Sequence, residues 1–368
     1  MAILNETLGR LASPLTSLVP FELDKGYLSL DIGSSSIKMV EVRGQESRLK
    51  ITNAGIIPLL SDAVHNHCVQ DIDQVSQAIR ILIEEHRIRT QEVVAAVPGP
   101  AVIIKPASFP NQDPAALEET ILFEAGNFIP ESLDNVSLDY QVLGRDPATD
   151  NIDVLLVAVR KDIINSYLAA ISEAGLIPTI MDVDYFAIEN MFEVNYSPDP
   201  NEVVALINIG AGYSSLTILK GGRSSFTGDI SVGGEQFTDL LAQEFGIGRD
   251  QAEEAKISGF LEGYDKEDID RALSATSEQL LDEIQRSLSF FWTASAEESI
   301  GSVYLSGGTA RLPGLASTIG ARLQVPVEIV NPFRSVNIGR QVDTEFLSQH
   351  APSLAVSVGL ATRRPGDK

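Results

Sequence analysis

Three glycine-rich turns carry the residue types that bind a phosphorylated ligand. The first turn reads Asp31-Ile32-Gly33-Ser34-Ser35-Ser36 and lies between two short alternating segments, which predicts a strand-turn-strand. Successive backbone N–H groups and serine hydroxyls at such a tip form a nest for phosphate oxygens. Asp31 suits a hydrated Mg²⁺, because this ion keeps several waters and takes one or two carboxylates. Lys38 lies on the same strand face as Ser36, so its ammonium can turn toward the tip.

Taken alone, the first turn is weak evidence for a nucleotide site. It leads into a strand, and the sequence contains no GxxxxGK motif, so it is neither a Walker loop nor a Rossmann fingerprint. A solvated hairpin turn is the alternative interpretation.

The second and third turns strengthen the nucleotide interpretation. Asn208-Ile209-Gly210-Ala211 aligns without gaps with Asp31-Ile32-Gly33-Ser34, about half the chain away, and this repeat predicts two related lobes. A third turn, Ser306-Gly307-Gly308-Thr309, allows the backbone to approach a planar ring, because glycine has no Cβ. Together the three turns favour nucleotide binding between two lobes.

The segments around these turns predict an α/β chain with an insert. Residues 71–86 have helical apolar spacing, with Asp71 as the cap. From Phe109 the pattern reads helix, strand, strand and helix, which predicts a small α+β unit ending at Gly175. A mainly helical stretch then runs from Gly233-Gly234 to about residue 299.

The composition argues against several classes of protein. The 368 residues carry 51 acidic and 27 basic side chains, a formal net charge of −24. Binding to nucleic acid or anionic lipid needs clustered Lys and Arg, so neither is expected as the main partner. The single cysteine, Cys68, excludes a disulfide framework and favours a reducing compartment.

Direct membrane insertion is not expected either. The sequence has no apolar run near the roughly 18 residues of a membrane span. Residues 1–26 lack the basic start and long apolar stretch of a signal peptide, and they predict a short surface helix followed by an extended lead-in.

Other conspicuous residues have simpler interpretations. His65, His67 and Cys68 lack a fourth metal ligand and are expected to form a surface cluster. Trp292, with Phe290 and Phe291, is expected in the core.

A group of acidic residues follows the predicted insert. Asp182, Asp184 and Glu189 could include a residue that positions water, but a helix cap and surface charges are the preferred interpretation.

In their order along the chain, the three turns resemble the phosphate-1, phosphate-2 and adenosine motifs of the superfamily of actin, sugar kinases and heat-shock chaperones. Residues 252–256, Ala-Glu-Glu-Ala-Lys, resemble its Ala-Glu-x-x-Lys segment. Within that superfamily, residues 123–130 and 133–143 of the insert resemble the PilM family of type IV pilus assembly proteins. Residues 306–315 and 359–363 support this resemblance, which covers about residues 27–364.

The resemblance implies a two-lobed actin-like (ribonuclease H-like) α/β ATPase fold with an FtsA-type α+β insert in the first lobe. The implied divisions are an N-terminal extension (1–26), a first lobe (27–108, continued by about 179–200 and 350–364), the insert (109–178) and a second lobe (201–349), which includes a mainly helical subdomain at about 235–299.

The resemblance also implies ATP and Mg²⁺ as ligands. Asp31 and Asn208 would face the metal through water, the first turn and Lys38 would hold phosphates, and the second turn would close over the terminal phosphate. The implied site residues are Asp31, Gly33, Ser34, Ser35, Ser36, Lys38, Asn208, Gly210, Ala211, Gly212, Tyr213, Ser214, Gly233, Gly234, Glu253, Lys256, Gly307, Gly308 and Thr309. Among these, Gly233, Gly234, Glu253 and Lys256 would meet ribose and base, and the third turn would lie beneath the adenosine.

One residue departs from the superfamily pattern. The phosphate-2 turn usually opens with Asp, and here Asn208 stands at that position. An amide can order a metal-bound water but cannot act as a base, so slow or absent ATP hydrolysis is expected.

The function implied by the resemblance is that of a scaffold. Such a protein is cytoplasmic, docks the N-terminal tail of the membrane protein PilN, and lies at the inner membrane through that partner. It links the inner-membrane alignment proteins to the pilus motor ATPases, and homo-oligomerisation stays open.

Two alternatives stay open beside the scaffold. An FtsA-like division filament protein would be expected to end in an amphipathic helix, whereas this sequence ends in Arg-Arg-Pro-Gly-Asp-Lys. A small-molecule kinase would need a carboxylate where Asn208 stands.

Overall fold

The computed structural model describes residues 26–44, 49–60, 62–197, 199–294, 299–364 and 367, so the predicted N-terminal helix lies outside the described residues. The strands are β1 (Tyr27–Ile32), β2 (Ser36–Arg43), β3 (Lys50–Pro58), β4 (Val64–His65), β5 (Cys68–Val69), β6 (Glu92–Val97), β7 (Val102–Pro110), β8 (Val136–Arg145), β9 (Asn151–Arg160), β10 (Ile177–Val183), β11 (Val203–Ile209), β12 (Ser214–Lys220), β13 (Arg223–Ile230), β14 (Ser302–Ser306), β15 (Val327–Ile329) and β16 (Asn337–Ile338). The helices are α1 (Ile72–Glu85), α2 (Pro114–Glu124), α3 (Lys161–Glu173), α4 (Asp184–Tyr196), α5 (Gly234–Phe245), α6 (Arg249–Ser258), α7 (Lys266–Ala294), α8 (Leu315–Leu323), α9 (Thr344–His350) and α10 (Ala355–Thr362).

Two sheets with the same strand order form the framework. The first sheet has the order β10-β6-β1-β2-β3-β16 and the second has the order β13-β12-β11-β14-β15. In each sheet the first three strands form an antiparallel meander, and two later strands add in parallel beside the first strand. Numbered from its own first strand, the second sheet reads 3-2-1-4-5, and the first sheet has the same order with β16 added beside its third strand. The repeat predicted from two short turns is therefore present in whole sheets.

Helices α4 and α10 lie between the two sheets and join their cores. Buried residues of both helices pack in one cluster with Val94 of the first sheet and Leu206 of the second. The helices approach so closely that a Cβ on Gly359 of α10 would lie 1.7 Å from the carbonyl oxygen of Ala187 in α4. Only glycine fits at this crossing. The two sheets thus share one buried core.

The outer faces of the two sheets are covered separately. Helices α1 and α3 pack on the first sheet, whereas α5, α6, α7 and α8 pack on the second. Helix α1 begins as predicted, because the Asp71 carboxylate accepts a hydrogen bond of 2.9 Å from the backbone N–H of Gln74.

The segment predicted as an insert forms a three-stranded antiparallel sheet of order β7-β9-β8, which packs against α2. Strand β7 begins at Val102, before the predicted insert start at residue 109, and pairs with β9 along its whole length. Strand β16, from the stretch predicted for the second lobe, pairs with β3 of the first sheet. The domain divisions stay a prediction. Within the described ranges, every helix is too short or too polar to cross a membrane.

Candidate functional site

The two repeated turns lie at equivalent ends of the two sheets. Asp31 and Asn208 each occupy the second-last position of the strand before the turn, β1 and β11 respectively. Each turn is closed in the same way, since Gly33 N–H donates to the Ser36 carbonyl and Gly210 N–H donates to the Tyr213 carbonyl, both at 3.1 Å. The sequence repeat therefore corresponds to a repeat of backbone hydrogen bonding.

The first turn carries a paired charge at its base. Strand register places Lys38 directly opposite Asp31, and the Lys38 Nζ lies 3.4 Å from Asp31 Oδ2. A Cβ on Gly33 would lie 3.0 Å from the same Nζ, so the ammonium sits beneath the turn. The predicted direction of the Lys38 side chain is what the structure shows.

The second turn faces the first and is held from behind. Gly212 lies against Ser34, because a Cβ on this glycine would meet the serine Oγ at 3.1 Å. Asn208 Oδ1 accepts a hydrogen bond of 3.2 Å from Ser306 Oγ at the end of the neighbouring strand β14. The amide is therefore oriented by the third turn of the predicted site.

Gly233 and Gly234 support the second turn from the start of α5. Gly234 N–H donates to the Gly210 carbonyl at 2.8 Å, and a Cβ on Gly233 would lie 2.3 Å from the Ala211 carbonyl oxygen. Ser214 is fully buried and donates to the Val232 carbonyl at 2.5 Å. None of these three residues lines either of the two cavities at the site, so they serve as supports of the turn.

Lys256 and Glu253 of α6 form a compact polar group with α5. The Lys256 Nζ lies 2.7 Å from Glu253 Oε2, 3.1 Å from Thr238 Oγ1 and 3.2 Å from the Gly234 carbonyl oxygen. The lysine is buried, whereas the glutamate side chain is about half exposed, at 49 %. The contacts of Lys256 with the Gly234 carbonyl and the Thr238 hydroxyl hold α6 against α5, beside the second turn.

The third turn is tightly packed at its first glycine. Gly307 has a φ of +88°, and a Cβ there would lie 2.3 Å from the Ile209 carbonyl oxygen. At Gly308 the nearest atom to such a Cβ would be Ser353 Oγ at 3.6 Å, which is ordinary contact. Thr309 Oγ1 donates to the Gly210 carbonyl at 3.1 Å and ties the third turn to the second.

Two cavities of about 950 and 290 Å³ meet at these turns. They share residues from both repeated turns together with Glu253 and Lys256. Every predicted site residue except Ser214, Gly233 and Gly234 lines at least one of the cavities. Backbone nests, hydroxyls and two lysines around a cavity of this size suit a phosphorylated ligand of nucleotide dimensions.

Asp182 and Asp184 are not surface charges, so the interpretation preferred from the sequence is wrong for them. Both are only 6 % exposed. Asp184 lines both cavities, accepts a hydrogen bond of 2.8 Å from Gly99 N–H and also accepts one from the Tyr213 hydroxyl. Burial raises the pKa of Asp184 to about 7, and the hydrogen bonds from Tyr213 and Gly99 oppose this rise.

The pKa of Glu189 is likewise raised to about 7 by burial. Asp182 lies with its Oδ2 at 2.9 Å from Arg363 Nε, and burial raises its pKa against the opposing effect of that arginine.

The larger cavity also contains Asp229, which no sequence motif indicated, and His67, which was expected in a surface cluster. Asp229 of β13 accepts a hydrogen bond from the Tyr185 hydroxyl. His67, at the tip of the β4–β5 hairpin, packs edge-on against Tyr213 with ring centroids 5.3 Å apart. Burial lowers the pKa of His67, and the nearby Asp229 carboxylate opposes this shift. No local sequence pattern marks Asp229, because its role depends on a strand pairing.

Three further polar residues line the smaller cavity beside the third turn: Arg311, His350 and Ser353. Arg311 belongs to the family-like segment 306–315, and its position two residues after the third turn indicates that it lies near the site. His350 and Ser353 carry no such signal.

The aromatic residues of α7 and the His65–Cys68 segment were also singled out in the sequence, and neither forms part of the site turns. Phe291 is buried, but Phe290 and Trp292 are 61 % and 43 % exposed, so placing these two in the core was wrong. Among the described residues no three His, Cys, Asp or Glu side chains converge as a metal cluster. His65 and Cys68 are paired across the short β4–β5 hairpin.

Comparison with known proteins gives one family match. A sequence profile of the family described as type IV pilus assembly protein PilM matches residues 29–365. A solved structure, the PilM-PilN type IV pilus biogenesis complex, is similar with a TM-score of 0.81 and 29 % identity, and the match covers 92 % of this chain and 99 % of that one.

More distant proteins share the fold. The ethanolamine utilization protein EutJ of Carboxydothermus hydrogenoformans is similar with a TM-score of 0.56 at 17 % identity, over 92 % of this chain and 89 % of its own. For ADP-bound MreB5 of Spiroplasma citri the TM-score is 0.51 at 12 % identity, over 91 % and 94 % of the two chains. In sequence, the cell division protein FtsA of Bacillus subtilis (strain 168) is 23 % identical over 83 % of this chain and 78 % of its own. The predicted two-lobed actin-like fold is thus confirmed.

Proposed function

Because the chain belongs to the type IV pilus assembly protein PilM family, we propose that it is an ATP-binding scaffold which docks the N-terminal tail of a PilN-type membrane protein. One observation supports the proposed docking of a PilN-type tail. The chain matches nearly the whole of a PilM structure, solved in complex with PilN, at a TM-score of 0.81. The tail would be a short peptide, bound where the insert meets the first lobe.

The proposed nucleotide is ATP with Mg²⁺. The Ser34–Ser36 turn and Lys38 would hold the phosphates, and Asp31 would order water on the metal. The third turn would lie beneath the adenosine. Gly308 would be the glycine that faces the ligand, because a Cβ there would meet its nearest protein atom only at 3.6 Å, whereas one on Gly307 would lie 2.3 Å from a carbonyl oxygen. The convergence of these groups on shared cavities supports the proposal. MreB5, which shares the fold, is itself an ADP-bound structure.

Nucleotide would act by fixing the relative position of the lobes and so the shape of the peptide site. The coupling free energy of such a shift is typically 1–3 kcal/mol. Calorimetric titration of the full chain with a PilN N-terminal peptide, with and without saturating ATP and Mg²⁺, tests this. Binding that tightens about 5-fold or more with nucleotide supports the coupling, and equal affinities refute it. Absence of peptide binding under both conditions refutes the docking itself.

The proposed turnover is slow, because Asn208 cannot take a proton from water. Its Oδ1 is also engaged by Ser306 Oγ at 3.2 Å. We expect Asn208→Asp to raise the rate of phosphate release from ATP, whereas rapid turnover by the unaltered chain would refute the assignment.

The cellular placement follows from the partner. The protein would work in the cytoplasm, peripheral at the inner membrane through its PilN-type partner, and link the alignment proteins to the motor ATPases. The similarity to FtsA favours filament formation as a second candidate. ATP-dependent polymers in light scattering, together with co-sedimentation with liposomes in the absence of partner, would support that candidate.

A further inference from the structure

We propose that two crossed Asp–Tyr hydrogen bonds, Asp184–Tyr213 and Tyr185–Asp229, form a latch between the lobes that holds the second turn in position for the terminal phosphate. Its link to phosphate rests on the proposed ATP binding, but the latch itself is a property of the protein alone.

The latch joins the start of one helix to two neighbouring strands. Asp184 and Tyr185 are consecutive residues at the beginning of α4, directly after β10 of the first sheet. Their partners belong to the second sheet, where Tyr213 precedes β12 and Asp229 lies in β13, opposite Ser215. Asp184 accepts from the Tyr213 hydroxyl and the Tyr185 hydroxyl donates to Asp229, so each side supplies one carboxylate and one hydroxyl.

The first-sheet half of the latch is fixed by the turn after β6. Gly99 N–H donates to Asp184 Oδ1 at 2.8 Å. A Cβ on Gly99 would lie 2.1 Å from Cζ of the Tyr185 ring, so the backbone is in direct contact with that ring. Gly99 therefore orients both latch residues of α4, one by a hydrogen bond and the other by packing.

The second-sheet half is the turn that would contact the terminal phosphate. The Tyr213 carbonyl closes that turn by accepting from Gly210 N–H at 3.1 Å. His67 of the first lobe adds an edge-on ring contact to Tyr213, and the Tyr167 hydroxyl donates to the His67 carbonyl at 3.4 Å. Tyr213 is thus bound from two elements of the first lobe, and its position sets the geometry of the turn.

The latch should affect the retention of ATP more than the retention of ADP. The Tyr213 hydroxyl donates to the buried Asp184 carboxyl, so removing that hydroxyl leaves a buried acceptor without this donor. ATP reaches the second turn with its terminal phosphate, whereas ADP lacks that group. Loosening Tyr213 should therefore weaken ATP retention more than ADP retention, which makes Tyr213 and Asp184 positioning residues.

The first test measures release of fluorescently labelled ATP and ADP, with Mg²⁺, from the full chain. We expect Tyr213→Phe to speed ATP release about 10-fold and ADP release by less than about 2-fold, because only the hydroxyl is lost. Tyr264→Phe is the matched control: this exposed tyrosine donates to the Phe245 carbonyl and lies in neither cavity. Equal acceleration of ATP and ADP release by Tyr213→Phe would overturn the proposal.

A double-mutant cycle tests the pairing. If Tyr213 acts through Asp184, combining Tyr213→Phe with Asp184→Asn should speed ATP release little beyond the larger single effect. Combining Tyr213→Phe with Tyr185→Phe should give nearly additive effects on the logarithm of the rate, since these belong to separate hydrogen bonds. Additivity of the first pair would contradict the latch.

Substitution of Gly99 tests the same latch from its other side. Gly99→Ala should displace the Tyr185 ring and speed ATP release at least as much as Tyr185→Phe. Gly144→Ala is the control, because a Cβ there meets nothing within 4 Å. Similar release rates for the two alanine variants would count against the role of Gly99 and of Tyr185.

A nucleotide-free measurement separates the latch from the proposed function. If the unaltered chain binds neither ATP nor ADP, the proposed function is wrong. The latch can then be tested in the nucleotide-free protein by amide hydrogen exchange. Tyr213→Phe with Tyr185→Phe should raise exchange about 10-fold in β12 and in the β4–β5 hairpin, while α8 stays unchanged. Unchanged exchange in β12 and the hairpin would overturn the latch itself.

Discussion

The ammonium of Lys38 lies 3.4 Å from the carboxylate of Asp31, because β1 and β2 pair these residues directly across the first turn. Both side chains are less than one-fifth exposed and both line the smaller cavity. In a chain with a net charge of −24, this partly buried cation sits where a polyanion is proposed to bind. A bound phosphate would compete with Asp31 for the ammonium.

Replacement of Lys38 should weaken nucleotide binding selectively. A hydrogen bond to a charged group contributes about 1.5–3 kcal/mol, so Lys38→Ala should weaken ATP binding by roughly 10- to 100-fold in calorimetric titration. Lys50→Ala is the matched control, because Lys50 is exposed at the start of β3 and lines neither cavity. Equal affinity of Lys38→Ala and the unaltered chain would remove Lys38 from the site.

Asp31 should govern the dependence of nucleotide affinity on Mg²⁺. Removing the carboxylate frees Lys38 for phosphate but removes the group that orders water on the metal. We therefore expect Asp31→Ala to bind ATP with the same affinity in Mg²⁺ and in EDTA, whereas the unaltered chain binds more tightly in Mg²⁺. A persistent Mg²⁺ effect in Asp31→Ala would show that the metal is held elsewhere.

The two neighbouring glycines of the third turn should respond differently to alanine. At Gly307 the φ of +88° and the 2.3 Å approach to the Ile209 carbonyl oxygen leave no room for a Cβ. Gly307→Ala should lower the free energy of unfolding by about 1–3 kcal/mol or more. Gly308→Ala has room in the protein and should leave that free energy nearly unchanged.

The alanine variants of Gly307 and Gly308 also distinguish an effect on protein stability from an effect on ATP binding. If the third turn lies beneath the adenosine, Gly308→Ala should still weaken ATP binding severalfold, because its methyl group projects toward the ligand. Urea unfolding and ATP titration of both variants provide the two measurements. Intact ATP affinity in Gly308→Ala would place the adenosine elsewhere.

Asp184 and Glu189 should make the protein less stable as the pH rises toward neutrality. Their pKa values are raised to about 7 by burial, from ordinary values of 3.8 and 4.5. The folded state then binds more protons than the unfolded state between pH 4 and 7, so the stabilisation is complete below about pH 4 and is lost as pH rises through 7. For each group the change is a few kcal/mol.

Urea unfolding at a series of pH values measures this contribution. Asp184→Asn should flatten the fall in unfolding free energy between pH 5 and 7.5, and adding Glu189→Gln should flatten it further. Other titrating groups change in parallel in all variants and cancel in the difference. A slope that both substitutions leave unaltered would mean that neither carboxyl takes up a proton on folding.

The two sheets and three turns could be predicted because their signals are local. A strand-turn-strand with glycine at the tip depends on neighbouring residues, and the repeat at positions 31 and 208 connects the two lobes without any knowledge of packing. The direction of Lys38 follows from strand alternation alone.

The burial of Asp184 could not be predicted in the same way. Its hydrogen-bond partners, Gly99 and Tyr213, come from other elements, and its burial arises only when the two sheets meet. A carboxylate at the start of a helix reads as a cap or a surface charge when only its neighbours are known.

The prediction that Phe290, Phe291 and Trp292 of α7 all lie in the core was wrong for two of them, for a geometric reason. Successive helical residues point about 100° apart, so three consecutive side chains cannot all face one core. Phe291 points inward and Phe290 and Trp292 lie to either side, both exposed. The position of each residue around the helix axis therefore decides its burial, and the hydrophobicity of the segment alone does not.

The shared core between the sheets constrains how the chain is made on the ribosome. Strands β1, β2 and β6 emerge early, yet the buried cluster that covers one face of their sheet is completed by α10, at residues 355–362. The apolar face of the nascent first sheet therefore stays partly uncovered until α10 has been synthesised. Such long-range contacts slow folding and leave intermediates with exposed hydrophobic surface, which are prone to aggregate. We expect the early strands to depend on chaperone protection during translation, and loss of α10 to impair both lobes.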